Sequence, residues 1–188
     1  MAISYSVLNK VLPSVIDAKF PILIRGRHGI GKSTIVYQIA EQRGLPVVER
    51  RASQMTEGDL LGLPKVENNV TQWLAPEWLH NACNNPVILF LDEVDRATME
   101  VRQGIFELCD SRKIAGYTLH KDTVIFACVN GGGDHGEQYQ VGEMDPAELD
   151  RYTVFDVKPT VEDWLTWAND NVNGAIWDFI NDNHEHLE

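Results

Sequence analysis

The sequence predicts an α/β fold in which helices cover both faces of a parallel sheet. Three observations predict it. Short, wholly apolar runs alternate with segments of helical periodicity along the 188 residues, a pattern that is typical of parallel strands buried on both sides. The first apolar run leads through a glycine-rich loop into a helix. The chain is also long enough to bury the core of one domain of this kind.

The predicted elements follow this alternation. Apolar residues at helical spacing predict an amphipathic helix over residues 4–18, disturbed near Pro13. Strands are predicted at residues 21–25, 46–50, 87–91, 123–129 and 153–157. Helices are predicted at residues 33–43 and 97–109 and in the tryptophan-rich segment that begins at Thr160.

Local motifs complete this outline. The pair Asn68-Asn69 predicts the turn of a β-hairpin inserted before a helix. A second hairpin is expected over residues 112–120. The glycines of residues 131–136 predict an irregular and mobile loop. Residues 145–148 predict a new helix, in which the first residue is the N-cap and the last closes a capping box.

Charge and cysteine content argue against several classes of protein. The formal net charge is −12, whereas proteins that grip nucleic-acid backbones are usually basic, so non-specific nucleic-acid binding is disfavoured. No apolar run approaches the ~20 residues of a membrane span, and the start of the chain does not resemble a signal peptide. Cys83, Cys109 and Cys128 are odd in number and widely spaced, which favours reduced thiols of a cytoplasmic protein over a disulfide framework or a zinc cluster.

Residues 26–33 read Gly-Arg-His-Gly-Ile-Gly-Lys-Ser and match the phosphate-binding pattern G-x-x-x-x-G-K-[ST]. Glycines let successive backbone N–H groups point at phosphate oxygens beside a helix N-terminus. Lys32 supplies a positive charge for the β- and γ-phosphates, and Ser33 offers a hydroxyl to Mg²⁺. We therefore expect a nucleoside triphosphate to bind with magnesium at Gly26, His28, Gly29, Ile30, Gly31, Lys32, Ser33 and Thr34.

Polar residues follow two of the predicted strands. Asp92 and Glu93 end the apolar run 87–91, at the edge where α/β sheets bind ligands. Asp92 is expected to hold Mg²⁺, and Glu93 to activate the attacking water, which a hydrolase needs and a kinase does not. Asn130 follows strand 123–129 and is a candidate to hold the water or the γ-phosphate; the alternative is an asparagine favoured by a turn. Arg151 ends a predicted helix, where an arginine alone is a dipole partner or a surface residue.

Together, residues 26–33, residues 92–97, Asn130 and residues 144–152 resemble the MoxR branch of the AAA+ ATPases, most closely its compact bacterial and phage members. The resemblance runs in order over residues 20–168, and both hairpins stand where that branch has its insertions. It implies a three-layer αβα AAA+ core with ATP and Mg²⁺ as cofactors. It also implies that Asn130 is sensor 1 and that Arg151 is an arginine finger directed into the ATP site of the neighbouring subunit.

The resemblance further implies a homo-oligomeric ring, usually a hexamer, that remodels a client protein or a metal-enzyme complex. The link to the client is often a partner with a von Willebrand A domain. Arg96 and Arg102 are candidates for the subunit interface, and a solvated helix face is the alternative.

The domain organisation implied by the resemblance is a core over residues 1–158 followed by a helical lid. We expect residues 159–188 to form only the beginning of this lid, which would be truncated, and no arginine follows Arg151 to act as a second sensor. The tryptophans of this segment are expected to be buried against the core: Trp164, Trp167 and Trp177.

Three functional hypotheses remain. The leading one is a magnesium-dependent, ATP-hydrolysing ring that remodels a protein client, with Trp73 and Trp78 either facing a pore or buried locally. The alternative is a nucleic-acid motor or loader in which the hairpin at Arg112-Lys113 lines a pore, and the negative net charge argues against it. A scaffold that binds ATP without hydrolysing it is the third, and the presence of Glu93 and Arg151 argues against that.

Overall fold

The computed structural model describes residues 2–131 and 144–187. The strands are β1 (Ile22–Arg25), β2 (Val47–Arg51), β3 (Leu63–Glu67), β4 (Val70–Leu74), β5 (Ile88–Asp92), β6 (Lys113–Ile114), β7 (Tyr117–Thr118), β8 (Val124–Val129) and β9 (Thr153–Asp156). The helices are α1 (Tyr5–Asp17), α2 (Lys32–Arg43), α3 (Glu57–Leu61), α4 (Glu77–Asn84), α5 (Met99–Ser111), α6 (Pro146–Leu149), α7 (Val161–Asn171) and α8 (Gly174–Asp182).

The central sheet contains five strands in the order β2-β5-β8-β1-β9, and every neighbouring pair is parallel. All carboxyl ends of these strands therefore lie along one edge of the sheet. This edge carries the loop after β1, the acidic pair at the end of β5 and the asparagine after β8. The predicted α/β fold with a parallel sheet is confirmed.

Helices cover both faces of this sheet. On one face, α1 and α2 bury side chains such as Leu12 and Val36 against one set of strand residues. On the other face, α3, α4 and α5 do the same, with Leu60 and Ile105 among the buried residues. Alternate residues of a strand point to opposite faces, so strands that are dry on both sides need apolar residues at every position. In β5, residues 88–91 are all 0 % exposed.

The two predicted hairpins are present. Strands β3 and β4 pair antiparallel, and their turn places Asn68 and Asn69 at φ angles of 52° and 60°. Asparagine tolerates this left-handed conformation better than most residues. Strands β6 and β7 form the second hairpin, whose turn residues Ala115 and Gly116 also have positive φ.

Local details differ from the sequence expectations at several points. Helix α1 continues through Pro13, so the proline removes one hydrogen-bond donor without ending the helix. Helix α5 begins at Met99 rather than residue 97, because the Thr98 hydroxyl accepts from the Val101 amide and caps it. Helix α3 is not among the helices that the sequence predicts. The glycine-rich loop predicted over 131–136 lies outside the described residues beyond Gly131.

The segment after the sheet is helical, as expected. Helix α6 has the predicted cap, since the Asp145 side chain accepts from the Glu148 amide and the Glu148 side chain accepts from the Asp145 amide. The predicted burial of all three tryptophans is wrong: Trp167 is 42 % exposed and packs on Trp164 at a ring distance of 6.5 Å. Helices α7 and α8 pack mainly on each other, which leaves Trp167 uncovered. The boundary between core and lid at residues 158 and 159 stays a prediction.

The start of α7 is fastened to the start of α1. The Asp163 carboxylate accepts hydrogen bonds from the backbone amides of Tyr5 and Ser6, both at 3.0 Å, and it also accepts from the Thr160 amide in its own capping box. One carboxylate thus satisfies amides at two helix N-termini, where negative charge is favoured. Within the described residues, no helix is long and apolar enough to cross a membrane.

Candidate nucleotide-binding site

The glycine-rich loop connects β1 to α2, and its backbone requires glycine at two positions. Gly31 has φ +94° and precedes the first residue of α2, a conformation that strongly favours glycine. At Gly26, a Cβ atom would lie 2.7 Å from the carbonyl oxygen of Val157. The loop is therefore held against the residue that follows β9, and the α2 N-terminus opens toward the carboxyl edge of the sheet.

A cavity of about 340 Å³ lies at this edge. Most of the predicted site residues line it: His28, Gly29, Gly31, Lys32, Ser33, Thr34, Asp92, Glu93 and Asn130. Within the described part of the chain, Gly26, Ile30 and Arg151 are not among the lining residues. The structure thus brings together, from three strand ends, nine of the twelve residues that the sequence selected.

Lys32 occupies the centre of the loop and is only 7 % exposed. Its ammonium group donates hydrogen bonds to the carbonyl oxygens of Gly26 at 2.9 Å and Arg27 at 2.7 Å, and to Oδ1 of Asn130 at 2.9 Å. Burial lowers its pKa, and the nearby groups Cys128, Asp92 and Asp95 act in the opposite direction. The contact with Asn130 joins the glycine-rich loop to the end of β8.

Asp92 is the last residue of β5 and Glu93 the first beyond it. Glu93 has φ 54° and ψ 40°, and its amide donates to Oδ1 of Asp92 at 2.9 Å. Both residues lie in the cavity wall. Burial raises the pKa of Asp92, an effect that the hydrogen bond from the Glu93 amide and the charge of Lys32 partly offset.

Sequence reasoning missed three residues of the site's immediate surroundings. The Ser53 hydroxyl, in the short turn after β2, donates to Oε2 of Glu93. Asp95 is 4 % exposed and accepts from the Asn130 backbone amide at 2.9 Å. The Tyr5 hydroxyl donates to the Ile30 carbonyl at 2.9 Å. Ser53 and Tyr5 are distant in sequence from every motif, so only the fold shows their position, whereas Asp95 lies inside the recognised segment 92–97.

Asp95 orients the end of β8. Burial raises its pKa, while its bond to the Asn130 amide and the charge of Arg96 lower it. Its Oδ1 atom has no hydrogen-bond partner among the described residues. The carboxylate holds the backbone of Asn130 and leaves the amide side chain to meet Lys32.

The oxygen donors at the cavity suit magnesium. Ser33 and Asp92 supply one hydroxyl and one carboxylate, and Mg²⁺ prefers a few such oxygens completed by phosphate and water. The described residues contain no cluster of three or more His, Cys, Asp or Glu that could hold a metal by itself. Ser33 and Asp92 are therefore the side chains of this cavity that could hold such an ion.

Arg151 packs against α5 and does not line the cavity of its own chain. Its guanidinium stacks 4.2 Å above the Phe106 ring, Nη1 donates to the Ala147 carbonyl at 2.9 Å, and Nε lies 3.3 Å from Oδ1 of Asp110. In this position Arg151 does not contribute to the cavity of its own chain. Its assignment as a finger stays a prediction about a neighbouring subunit.

Both expectations for Arg102 are wrong. The Arg102 side chain is 8 % exposed and forms an ion pair with Glu148, including a 3.1 Å contact from Nε to Oε1. It is neither a solvated residue nor one available to a neighbouring subunit, because α6 covers it.

Arg96 is exposed. Trp78 is 4 % exposed and donates its indole N–H to the Asp59 carbonyl, while Trp73 is 37 % exposed on β4.

The fold and cavity define a class of protein. The glycine-rich loop follows β1, the acidic pair lies at the end of β5, and the asparagine follows β8, which lies between these two strands. This is the arrangement of a P-loop nucleotide-binding domain of the AAA+ type.

Comparison with known proteins gives the family. Residues 21–151 match the AAA domain of the dynein-related subfamily, and the chain belongs to this family. Midasin of Giardia intestinalis is 35% identical over 94 residues, which are 50% of this chain and 2% of Midasin. Protein CbbQ of Hydrogenophilus thermoluteolus is 31% identical over 97 residues, 51% of this chain and 36% of CbbQ. The resemblance to MoxR-like AAA+ ATPases is confirmed, and with it the ATPase class of the domain.

Solved structures show the same fold. The RuvB Holliday junction branch migration motor of Thermotoga maritima superimposes with a TM-score of 0.58 at 15% identity, over 87% of this chain and 49% of RuvB. A point mutant of RuvB gives a TM-score of 0.60 at 14% identity. The chain spans about half of the RuvB chain and smaller shares of the two sequence relatives.

Proposed function

We propose that the protein is a magnesium-dependent ATPase that works as a ring, most simply a hexamer, and remodels a client protein or protein complex. The observation that carries the proposal is the convergence of Lys32, Ser33, Asp92, Glu93 and Asn130 on one cavity. A P-loop domain needs these groups for phosphoryl transfer to water. Its three cysteines are free, which fits the reducing cytoplasm where we place it.

Each group has a role in the proposed reaction. The loop amides and Lys32 hold the β- and γ-phosphates, and Ser33 and Asp92 are the protein ligands for magnesium. The metal, when bound, neutralises charge that develops on the phosphate oxygens. Glu93 accepts a proton from the attacking water, and Asn130 orients that water or the γ-phosphate. Lys32 already contacts Asn130 at 2.9 Å, so the two groups are prepared to meet the same phosphate.

Arg151 completes the site from a neighbouring subunit in this proposal. An arginine placed against the transferred phosphate contributes roughly 10³–10⁵ in rate, so the isolated chain should bind ATP and hydrolyse it slowly. Arg151 does not line its own cavity, and AAA+ domains generally assemble into rings, both of which support an action in trans.

A protein client fits the surface better than a nucleic acid does. Five apolar side chains of the β3–β4 hairpin are between 37% and 73% exposed: Leu63, Val66, Val70, Trp73 and Leu74. The lysine of this hairpin, Lys65, pairs with Glu67, and the net charge of the chain is −12. Exposed apolar surface of this kind suits protein contacts. We propose that this hairpin meets the client, directly or through a partner such as a von Willebrand A protein.

The decisive experiment for hydrolysis is the Glu93→Gln variant in the assembled protein. We expect it to bind ATP with wild-type affinity and to lose turnover by at least about 100-fold, because general-base groups contribute 10²–10⁴. Glu107→Gln, an exposed change on α5, is the matched control. Normal turnover in Glu93→Gln would refute the assignment of Glu93.

The alternative nucleic-acid motor has its own test. Lys113 lies exposed in the second hairpin, where a pore contact with phosphates would be made. If single-stranded DNA stimulated ATP hydrolysis and Lys113→Ala removed that stimulation, the protein-remodelling proposal would give way to this one. We expect no stimulation by DNA at physiological salt, because the chain is strongly acidic.

A further inference from the structure

Three side chains on one face of α5 hold the segment that carries Arg151. Arg102, Phe106 and Asp110 are spaced four residues apart, so they lie one above the other along the helix. Helix α5 begins seven residues after Asp92 in the sequence, at Met99. The same helix is therefore connected to the acidic end of β5 at its start and contacts the Arg151 segment along its length.

The first contact fixes the α6 backbone. Arg102 pairs with both oxygens of Glu148, and the side chains of the pair are 8% and 14% exposed. Glu148 in turn accepts from the Asp145 amide at 3.0 Å. One buried carboxylate thus ties the first turn of α6 to α5 and fixes where the helix ends and Arg151 follows.

The second and third contacts fix the Arg151 side chain itself. The Phe106 ring lies beneath its guanidinium at 4.2 Å, and Asp110 lies 3.3 Å from its Nε. The Ala147 carbonyl accepts from Nη1. The Asp110 contact is an ion pair, because Nε makes no hydrogen bond among the residues that the structure describes. The only hydrogen bond of the guanidinium to the described residues is that of Nη1, and the side chain is 30% exposed.

We propose that Phe106 and Asp110 are positioning residues that pre-aim Arg151 at the nucleotide of a neighbouring subunit, with Arg102 and Glu148 setting the base of this arrangement. Asp110 lies beside Nε and the Ala147 carbonyl accepts from Nη1, which leaves Nη2 for a phosphate oxygen. A free arginine side chain has many rotamers, and fixing it costs conformational entropy. When neighbouring residues already hold the side chain, that entropy is not lost again as the transition state forms. This inference rests on the proposed role of Arg151 in trans.

The effect of losing these contacts follows from their size. A partly exposed ion pair and a cation–π contact each contribute modestly. In the double variant Phe106→Leu with Asp110→Ala, we expect kcat of the assembled ATPase to fall about tenfold, with an unchanged KM for ATP, because the binding groups of the loop are untouched. Asp110→Glu should retain most of the activity, because it keeps the charge. Glu107→Gln, on the same helix and exposed, should behave as wild type.

Mixed assemblies separate a positioning role from a merely structural one. The double variant keeps Glu93 and lacks a well-aimed Arg151, whereas the Glu93→Gln variant keeps the aimed Arg151 and lacks the base. In a random one-to-one mixture, about half of the intact catalytic sites should receive an intact finger, so turnover per double-variant subunit should rise about fivefold. If Phe106 and Asp110 act only within their own subunit, this turnover should not rise.

The same mixture made with Arg151→Ala keeps the two claims apart. Recovery of turnover when Arg151→Ala is mixed with Glu93→Gln supports the finger in trans. Its absence would overturn the proposed function of Arg151. Recovery with Arg151→Ala but none with the double variant would overturn the positioning role alone, as would a double variant whose kcat equals that of wild type.

Discussion

Replacing Arg102 by methionine removes the cation of a buried ion pair and keeps much of the side-chain volume. The two side chains are 8% and 14% exposed, so Glu148 would be left as a largely desolvated carboxylate that still accepts a hydrogen bond from the Asp145 amide. Breaking a buried pair in this way typically costs about 3–5 kcal/mol. For a chain of this size, that loss corresponds to a fall of roughly 6–20 °C in the unfolding midpoint.

The double variant tests the cause of this loss. When Glu148→Gln accompanies Arg102→Met, neither charge of this pair remains, and the glutamine carbonyl can still accept from the Asp145 amide. We expect the double variant to regain at least half of the free energy of unfolding lost in the single variant, because replacing both partners is often nearly neutral. Urea denaturation of wild type, both single variants and the double variant gives the cycle. A cost below about 1 kcal/mol for Arg102→Met, or strictly additive losses, would refute the reasoning.

Three further predictions concern the site and its supports. Ser53→Ala removes the donor that holds Oε2 of Glu93; because that hydrogen bond fixes the position of the carboxylate, we expect turnover of the assembled protein to fall about threefold or more, and unchanged turnover would show that Ser53 does not position Glu93. Gly26→Ala places a Cβ 2.7 Å from the Val157 carbonyl, so it should weaken ATP binding and lower the free energy of unfolding by about 1–3 kcal/mol in calorimetry. Hydrogen bonds from Arg25 are the main cause that lowers the pKa of Asp156 from its usual value of 3.8. The stabilisation of the fold by this pair is therefore complete above that usual value and is lost as pH falls through the lower pKa of the folded protein. Asp156→Asn should make the melting temperature less dependent on pH in this acid range, and an unchanged pH dependence would contradict the prediction.

The strands and the phosphate loop were predictable because their causes are local. A strand that is buried on both faces must be apolar at every position, so β5 and β8 can be recognised in the sequence as continuous apolar runs. The loop 26–33 and the capping box of α6 each depend on residues within eight positions of one another. Such local patterns predict the backbone conformation because their own residues favour it.

The surroundings of the site could not be predicted in the same way. Ser53 meets Glu93 across 40 positions of sequence, and Tyr5 meets the phosphate loop across 25. These contacts depend on the strand order, which places β2 beside β5 and α1 beside the loop. Arg102 shows the same limit for a residue of a correctly predicted helix. Its helical position alone gives an exposed or interface residue, and only the docking of α6 reveals that it is buried.

The tryptophans after residue 159 illustrate a second limit. Large aromatic side chains are usually buried, yet Trp167 is 42 % exposed because α7 and α8 pack mainly on each other. Trp177 donates its indole N–H to the Leu165 carbonyl at 2.8 Å, so its polar atom is satisfied inside this helix pair. Composition cannot tell whether an aromatic residue has a partner layer to cover it.

The most direct test of the central claim is calorimetric titration of ATP into the Glu93→Gln variant, with magnesium and with the metal chelated. The claim is that the loop ending at Ser33 and the carboxylate of Asp92 hold one magnesium–nucleotide complex. We predict saturable binding at one site per chain, weakened by chelation, and a further Asp92→Asn change should weaken binding only when magnesium is present. Absence of binding heat at saturating magnesium, or an Asp92→Asn variant with unchanged affinity in magnesium, would contradict the claim.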